Sequence, residues 1–101
     1  MLTINATHLT SHRDRIVGLI GADTATPVYI TTRFGIHTFG LKFPIDVLVL
    51  DNQDKVVKIR ERLAPNRIYI WPPVYKKVLE LPSGFIQLHH IKKEAILKVN
   101  G

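Results

Sequence analysis

No cysteine occurs anywhere in the 101 residues. That excludes a disulfide framework, a thiolate metal site and a cysteine nucleophile, but leaves the compartment open, because many exported domains also lack cysteine. Long apolar runs are missing too, since none approaches the roughly 20 residues a spanning helix needs. The first residues, MLTINATHL, have neither a basic start nor a long apolar middle, so they do not read as a signal peptide. As written, the sequence predicts a cytoplasmic protein, or an exported one if a leader has been removed. There is no glycine-rich phosphate loop, internal repeat or Ser-His-Asp constellation. Acidic residues are few, 8 against 14 basic ones, which gives a net charge of +6. Such an excess favours anionic partners in general, and it competes with a plain role in solubility. The excess reads as spread along the chain.

What is present suits one small soluble domain. Hydrophobic residues make up 46% and charged residues 22%, and a chain of this length holds a single core. Residues 31–51, TTRFGIHTFGLKFPIDVLVLD, concentrate the aromatic, basic and carboxylate side chains and end in the most apolar segment. Residues 45–50 are apolar on both faces except for Asp46, which predicts a strand buried on both sides. Residues 51–54 form a turn rich in short polar side chains, and residues 55–62 return as a strand with one basic face. Shorter strands are expected at 2–7, 28–32, 37–39, 68–71, 75–81 and 96–99. Ser11 and Asp14 form a capping-box-like pair ahead of a short helix closed at Gly21, and a helical turn is expected over 85–91. The pattern predicts a mainly β fold, a small antiparallel barrel or sandwich of six or seven short strands with one or two short helices.

With these elements placed, the order of residues resembles a known family. Arg33 precedes an aromatic, glycine-marked segment, and Pro44-Ile45-Asp46-Val47 runs into an acidic hairpin and Val56-Val57. A loop at Pro65 then leads to Val78-Leu79-Glu80-Leu81-Pro82-Ser83-Gly84. This is similar to the widespread prokaryotic family DUF192 (domain of unknown function 192), over residues 2–99, with FPIDVLVLD and VLELPSG the most specific pieces. The resemblance implies a mostly β domain, often exported in other members, with no established catalytic activity. One departure stands out. The family pattern Gly-Ile-Lys-x-Gly-Asp reads here His90-Ile91-Lys92-Lys93-Glu94-Ala95, so the backbone of that turn should differ or be strained.

Several polar residues need an explanation. Asp46 shares a strand face with Leu48 and Leu50, where an unpaired carboxylate would cost several kcal/mol. It should therefore lie at an exposed strand end, pair with Arg33, His37 or Lys42, or cap the amides of a loop. Glu80, between Leu79 and Leu81, poses the same question. If Arg33, His37, Asp46 and Glu80 converge they make a polar binding site in an apolar wall; if not, each is a surface or strand-end residue. The cations Lys58, Arg60, Arg62 and Arg67 lie near Tyr69 and Trp71, a combination used on single-stranded nucleic acid, against an ordinary solvated strand face. His8 and His12 are four apart but lack further ligands, so no metal is assigned. The sequence thus predicts a monomeric module without cofactor or catalysis that binds a small ligand or a protein through Arg33, His37, Asp46 and Glu80. Nucleic-acid binding on the basic and aromatic strands is the alternative. A hydrolase or transferase using His37 with Asp46 or Glu80 is the third reading.

Overall fold

The structure, a computed structural model, describes residues 2–9 and 27–100. The helix expected after Ser11 lies outside them. Strand β5 (Ile45–Leu50) is the centre of the fold, and all six of its residues are buried. Its apolar character on both faces requires cover on both faces, and neighbours on both edges supply the backbone partners. After β5 the Asp51 carboxylate accepts hydrogen bonds from the Gln53 and Lys55 amides at 2.8 and 3.0 Å, closing the turn. These bonds, that from Lys55 first, hold the Asp51 carboxyl below its usual range. The chain returns antiparallel as β6 (Val56–Leu63), as expected from the hairpin sequence.

The remaining strands are β1 (Thr3–Asn5), β2 (Thr7–Leu9), β3 (Val28–Thr31), β4 (Gly35–His37), β7 (Ile68–Ile70), β8 (Lys77–Pro82) and β9 (Lys98–Asn100), with one helical turn α1 (Phe85–Leu88). Three of these join β5 and β6 in an open five-stranded sheet in the order β2-β3-β8-β5-β6. A two-stranded ribbon, β4-β7, and a second pair, β1-β9, accompany it. The fold is mainly β, but three expectations change. Among the described residues the sheets do not close on themselves, so the word barrel fits the arrangement only loosely. The β1-β9 and β2-β3 pairs are parallel rather than antiparallel. Nine short strands are described: the segment read as one strand at 2–7 divides into β1 and β2, which belong to different sheets, and other strands end early. At 37–39, buried Thr38 leaves the strand to hydrogen-bond the 64–67 turn, donating to the Ala64 carbonyl at 2.7 Å and accepting from the Arg67 amide at 2.9 Å. The last strand starts at Lys98 because Ile96 forms only an isolated bridge to Lys55.

Alternation along β5 and β8 divides the interior in two. Ile45, Val47, Val49 and Val78 face a core closed by Ile36, Leu41 and Trp71, the inner side of the ribbon. Leu48, Leu50, Leu79 and Leu81 face the other core, closed by Ile4, Ile86, Ile91 and Leu97.

The lost glycines explain themselves in this second layer. After α1 the His90 amide donates to the Gln87 carbonyl and the Ile91 amide to the Ile86 carbonyl. This pair is a Schellman end, whose left-handed position normally takes glycine, and here that position is His90 at φ 54°. The Ala95 amide then bonds back to the Lys92 carbonyl at 3.2 Å, putting Glu94 (φ 72°) where a type II turn wants glycine. The backbone thus carries strain at both positions. Replacing His90 and Glu94 together by glycine is therefore expected to stabilise the protein by about 1–2 kcal/mol, the left-handed penalty less glycine's own entropy cost. A chemical denaturation midpoint that does not rise would rule out the strain.

Candidate functional site

The four polar residues, whose convergence the sequence leaves open, are placed at three different positions in the fold. Asp46 and Glu80 are both buried, so neither is a strand-end surface residue. Asp46 stands opposite Leu81, and Glu80 opposite Val47 and Val28, in the strand registers. Asp46 thus points into the layer containing α1, and Glu80 into the layer beneath the ribbon. The sheet separates them. Arg33 and His37 lie at the ribbon itself, His37 opposite Ile68 on β7, so Asp46 is also out of reach of His37.

Asp46 acts as a cap for amides. One carboxylate oxygen accepts from the Arg62 amide at 3.0 Å and the other from the Ile86 amide at 2.9 Å. Ile86 is in the first turn of α1, whose N-cap is Gly84 and makes no side-chain cap bond. A carboxylate from the neighbouring strand supplies the acceptor that glycine lacks. The Arg62 amide is turned inward because β6 takes three steps, Arg60 to Leu63, against two on β5, Ile45 to Val47. Arg62 sits in this bulge at φ 52°.

The same bulge divides the basic and aromatic strand face. Lys58 and Arg60 stay beside Tyr69, with the Lys58 ammonium 5.8 Å from the ring centroid. Burial raises the Tyr69 phenol above its ordinary pKa, with Arg60 opposing. Arg62 instead lines a cleft of about 340 Å³ beside α1 with Gln87, His90 and Lys92. Trp71 is not an exposed ring. It is buried and donates its indole N–H to the Tyr75 carbonyl at 2.8 Å. Alternation on β7 turns Tyr69 and Trp71 inward, which leaves Ile68 and Ile70 outside. Arg67 is exposed and bonds its neighbour Asn66.

The outer side of the ribbon is the most unusual surface. Among the described residues seven large hydrophobic side chains are exposed, and five of them lie in the ribbon or the turns next to it: Phe34 (64%), Phe39 (46%), Ile68 (66%), Ile70 (68%) and, in the 72–75 turn, Val74 (68%). On ordinary side-chain areas they show water on the order of 500 Å², at the upper end for a patch on a monomeric protein. Local backbone geometry holds them out. The Gly35 amide bonds the Arg33 carbonyl at 2.9 Å, closing a three-residue turn around Phe34 at φ 72°, a rare and strained form. Were Phe34 extended, it would continue the inward side of Ile36. Gly35 lies so close to β7 that a β-carbon there would collide with the Tyr69 carbonyl oxygen. Across the ribbon Phe39 stacks on His37 at 5.1 Å between centroids, and its amide donates to the His37 Nδ1 at 3.3 Å.

The segments that contain this surface carry basic residues only, and four of these, Arg33, Lys42, Arg67 and Lys76, are exposed there. Residues 31–45 and 62–79, which contain the ribbon and its flanks, carry six basic residues, Arg33, Lys42, Arg62, Arg67, Lys76 and Lys77, and no acidic one. The rest of the chain has eight of each sign and is neutral. Sequence order hid this, because the two segments are separated by a hairpin of mixed charge and meet only when β4 pairs with β7.

A second group escaped the sequence reading. The Tyr29 hydroxyl donates to an Asp54 carboxylate oxygen at 3.1 Å, the Lys77 ammonium reaches the same oxygen at 3.4 Å, and the His8 ring meets the Tyr29 ring edge-on at 4.9 Å. Burial and then the Asp54 charge push the Tyr29 phenol far up. His8, Tyr29 and Asp54 border, with Val99, a hollow of about 180 Å³. Their only linear signal was the composition of the hairpin, since the parallel β2-β3 register that brings His8 to Tyr29 has no local signature.

With this geometry in place, comparison with known proteins defines the class. The sequence profile of DUF192 (Uncharacterized ACR) matches residues 4–99. The chain belongs to that family. No curated protein matches it. Among solved structures, a protein from Sinorhizobium meliloti 1021, described as a candidate transcription regulator, superposes with a TM-score of 0.73 at 18% identity, covering 86% of this chain and 74% of that one. A protein of unknown function from Novosphingobium aromaticivorans DSM 12444 gives 0.70 at 14%, covering 91% and 70%. At these identities the likeness is one of fold. Among the described residues no helix is long and apolar enough to cross a membrane.

Proposed function

We propose that the protein is a binding module without catalysis, and that its working surface is the outer side of the β4-β7 ribbon. The partner is anionic and has an apolar part. The observation that carries this reading is the coincidence of the exposed apolar cluster with four exposed cations, Arg33, Lys42, Arg67 and Lys76, in segments that hold no carboxylate. Solubility alone accounts for neither, since a solubilising charge has no reason to border the largest apolar patch. Strain at Phe34 adds to it: a left-handed aromatic held out in water favours neither folding nor solubility, and such costs cluster at functional positions. Arg33 and His37 belong to this surface. Asp46 serves it indirectly, by fixing the sheet against α1. The nucleic-acid alternative called on Trp71 as a stacking platform and on Arg62 beside it, and the geometry gives it neither. The hydrolase or transferase reading is left with Glu80, since Asp46 caps amides on the other side of the sheet from His37.

Anilinonaphthalene sulfonate, an apolar anion, is a suitable first probe. The native protein is expected to bind it saturably at neutral pH, and an Ile68→Ser, Ile70→Ser variant is expected to bind about tenfold more weakly, from two apolar contacts removed. Both side chains are exposed, so the urea midpoint should hold. Unchanged dye affinity in the folded variant would contradict the ribbon as the working surface.

A further inference from the structure

Resting on the ribbon reading, we propose that the partner is the surface of an acidic lipid bilayer, into which Phe34, Phe39, Ile68, Ile70 and Val74 insert while the surrounding cations engage the headgroups. Three features of the surface select this occupant. Four of the five side chains are about two-thirds exposed, so they stand clear as separate tips. A rigid partner needs a socket for each tip, whereas a fluid acyl boundary forms around them.

The flanking charge comes next. Arg33, Lys42, Arg67 and Lys76 are all exposed, and their long stems can lie along apolar surface with the charged heads in the headgroup layer. No carboxylate interrupts either ribbon segment, so nothing there repels an anionic leaflet. A second copy of the chain fits poorly, because self-association through this face would set cation against cation.

The third feature is the make-up of the tips. Only Phe34 and Phe39 could stack on nucleic-acid bases. Ile68, Ile70 and Val74 offer no ring, and a stacking platform leaves them unexplained. An interfacial site uses all five. Insertion of short side chains from one ribbon gives reversible attachment, strengthened by charge and weakened by salt.

Flotation of the full chain with vesicles tests this. The protein is expected to float with vesicles containing phosphatidylglycerol and not with pure phosphatidylcholine, and the bound fraction should fall as salt rises. Ile68→Ser with Ile70→Ser, or Val74→Ser with Phe39→Ser should the first pair fail to fold, is expected to weaken binding about tenfold at constant salt. Arg33→Gln with Arg67→Gln is expected to weaken it similarly and to flatten the salt dependence. Failure to float with acidic vesicles overturns the lipid inference, and so does binding that ignores the apolar substitutions, which would be charge attraction alone. If vesicles fail while dye binding still depends on Ile68 and Ile70, the ribbon reading stands with a different occupant. Capture of the copolymer poly(Glu,Tyr) would then assign an acidic protein segment, and capture of oligothymidylate a single strand. If the dye also fails, both readings fall.

Discussion

Replacing Asp46 by alanine is expected to lower the unfolding free energy by about 3 kcal/mol, since two buried amides lose their acceptor at roughly 1–3 kcal/mol each. The amides are those of Arg62, in the β6 bulge, and Ile86, in the first turn of α1. No other acceptor is placed for them: Gly84 at the N-cap has no side chain, and the bulge has withdrawn Arg62 from the regular ladder with β5. Asp46→Asn keeps one carbonyl oxygen but turns an N–H₂ toward the other donor, so it should recover only part of the loss. Urea denaturation checks both variants through the midpoint at constant slope. An alanine variant with the original midpoint would mean that the carboxylate does not hold these two elements together.

A single methyl group at Gly35 is expected to cost about 2–3 kcal/mol, the upper range for overpacking, because the obstacle is backbone and cannot rotate away. The added carbon would collide with the Tyr69 carbonyl oxygen and press on the Ile70 Cα at 3.0 Å. Strand β7 must then move off β4. Trp71 reports this well. It is the only tryptophan, it is buried, and its amide bonds the Phe34 carbonyl at 2.9 Å beside the collision. In Gly35→Ala its emission should shift to the red and the amides of β7 should exchange faster, while those of β5 stay protected. A variant with native emission and native stability would show that the ribbon tolerates a wider spacing.

How far the sequence could be read depended on how local the cause was. The β5-β6 hairpin was legible because its signals are adjacent: an apolar run, an Asp51 turn and an alternating return. The strained turn was legible too, since two missing glycines pointed to the two left-handed positions that His90 and Glu94 occupy. FPIDVLVLD and VLELPSG could be recognised as specific without a reason. Their connection is physical, the Asp46 of one capping the helix that follows the Gly84 of the other.

What stayed hidden depended on phase and on pairing. Alternation puts Asp46 and Glu80 on opposite faces, but only the β5-β8 register, with Asp46 opposite Leu81, sets their relative phase. A one-residue bulge moved Arg62 away from Lys58 and Arg60, and bulges leave little trace in composition. On β7 the alternation of Tyr69 and Trp71 with Ile68 and Ile70 is legible, but it leaves open whether the rings stack outward or pack on a neighbour. Burial went to the rings because Trp71 has an acceptor for its N–H in the Tyr75 carbonyl. The outward side was left to Ile68 and Ile70, and the surface best suited to binding became apolar rather than polar.

The working surface is tested most directly by amide chemical-shift mapping during titration with anilinonaphthalene sulfonate. Perturbations concentrated at residues 33–39 and 67–74, saturating together and absent from the Ile68→Ser, Ile70→Ser variant, are the predicted result. Perturbations centred instead on the cleft of Arg62, Gln87, His90 and Lys92 beside α1, or on the hollow of His8, Tyr29 and Asp54, with the ribbon unmoved, would contradict it.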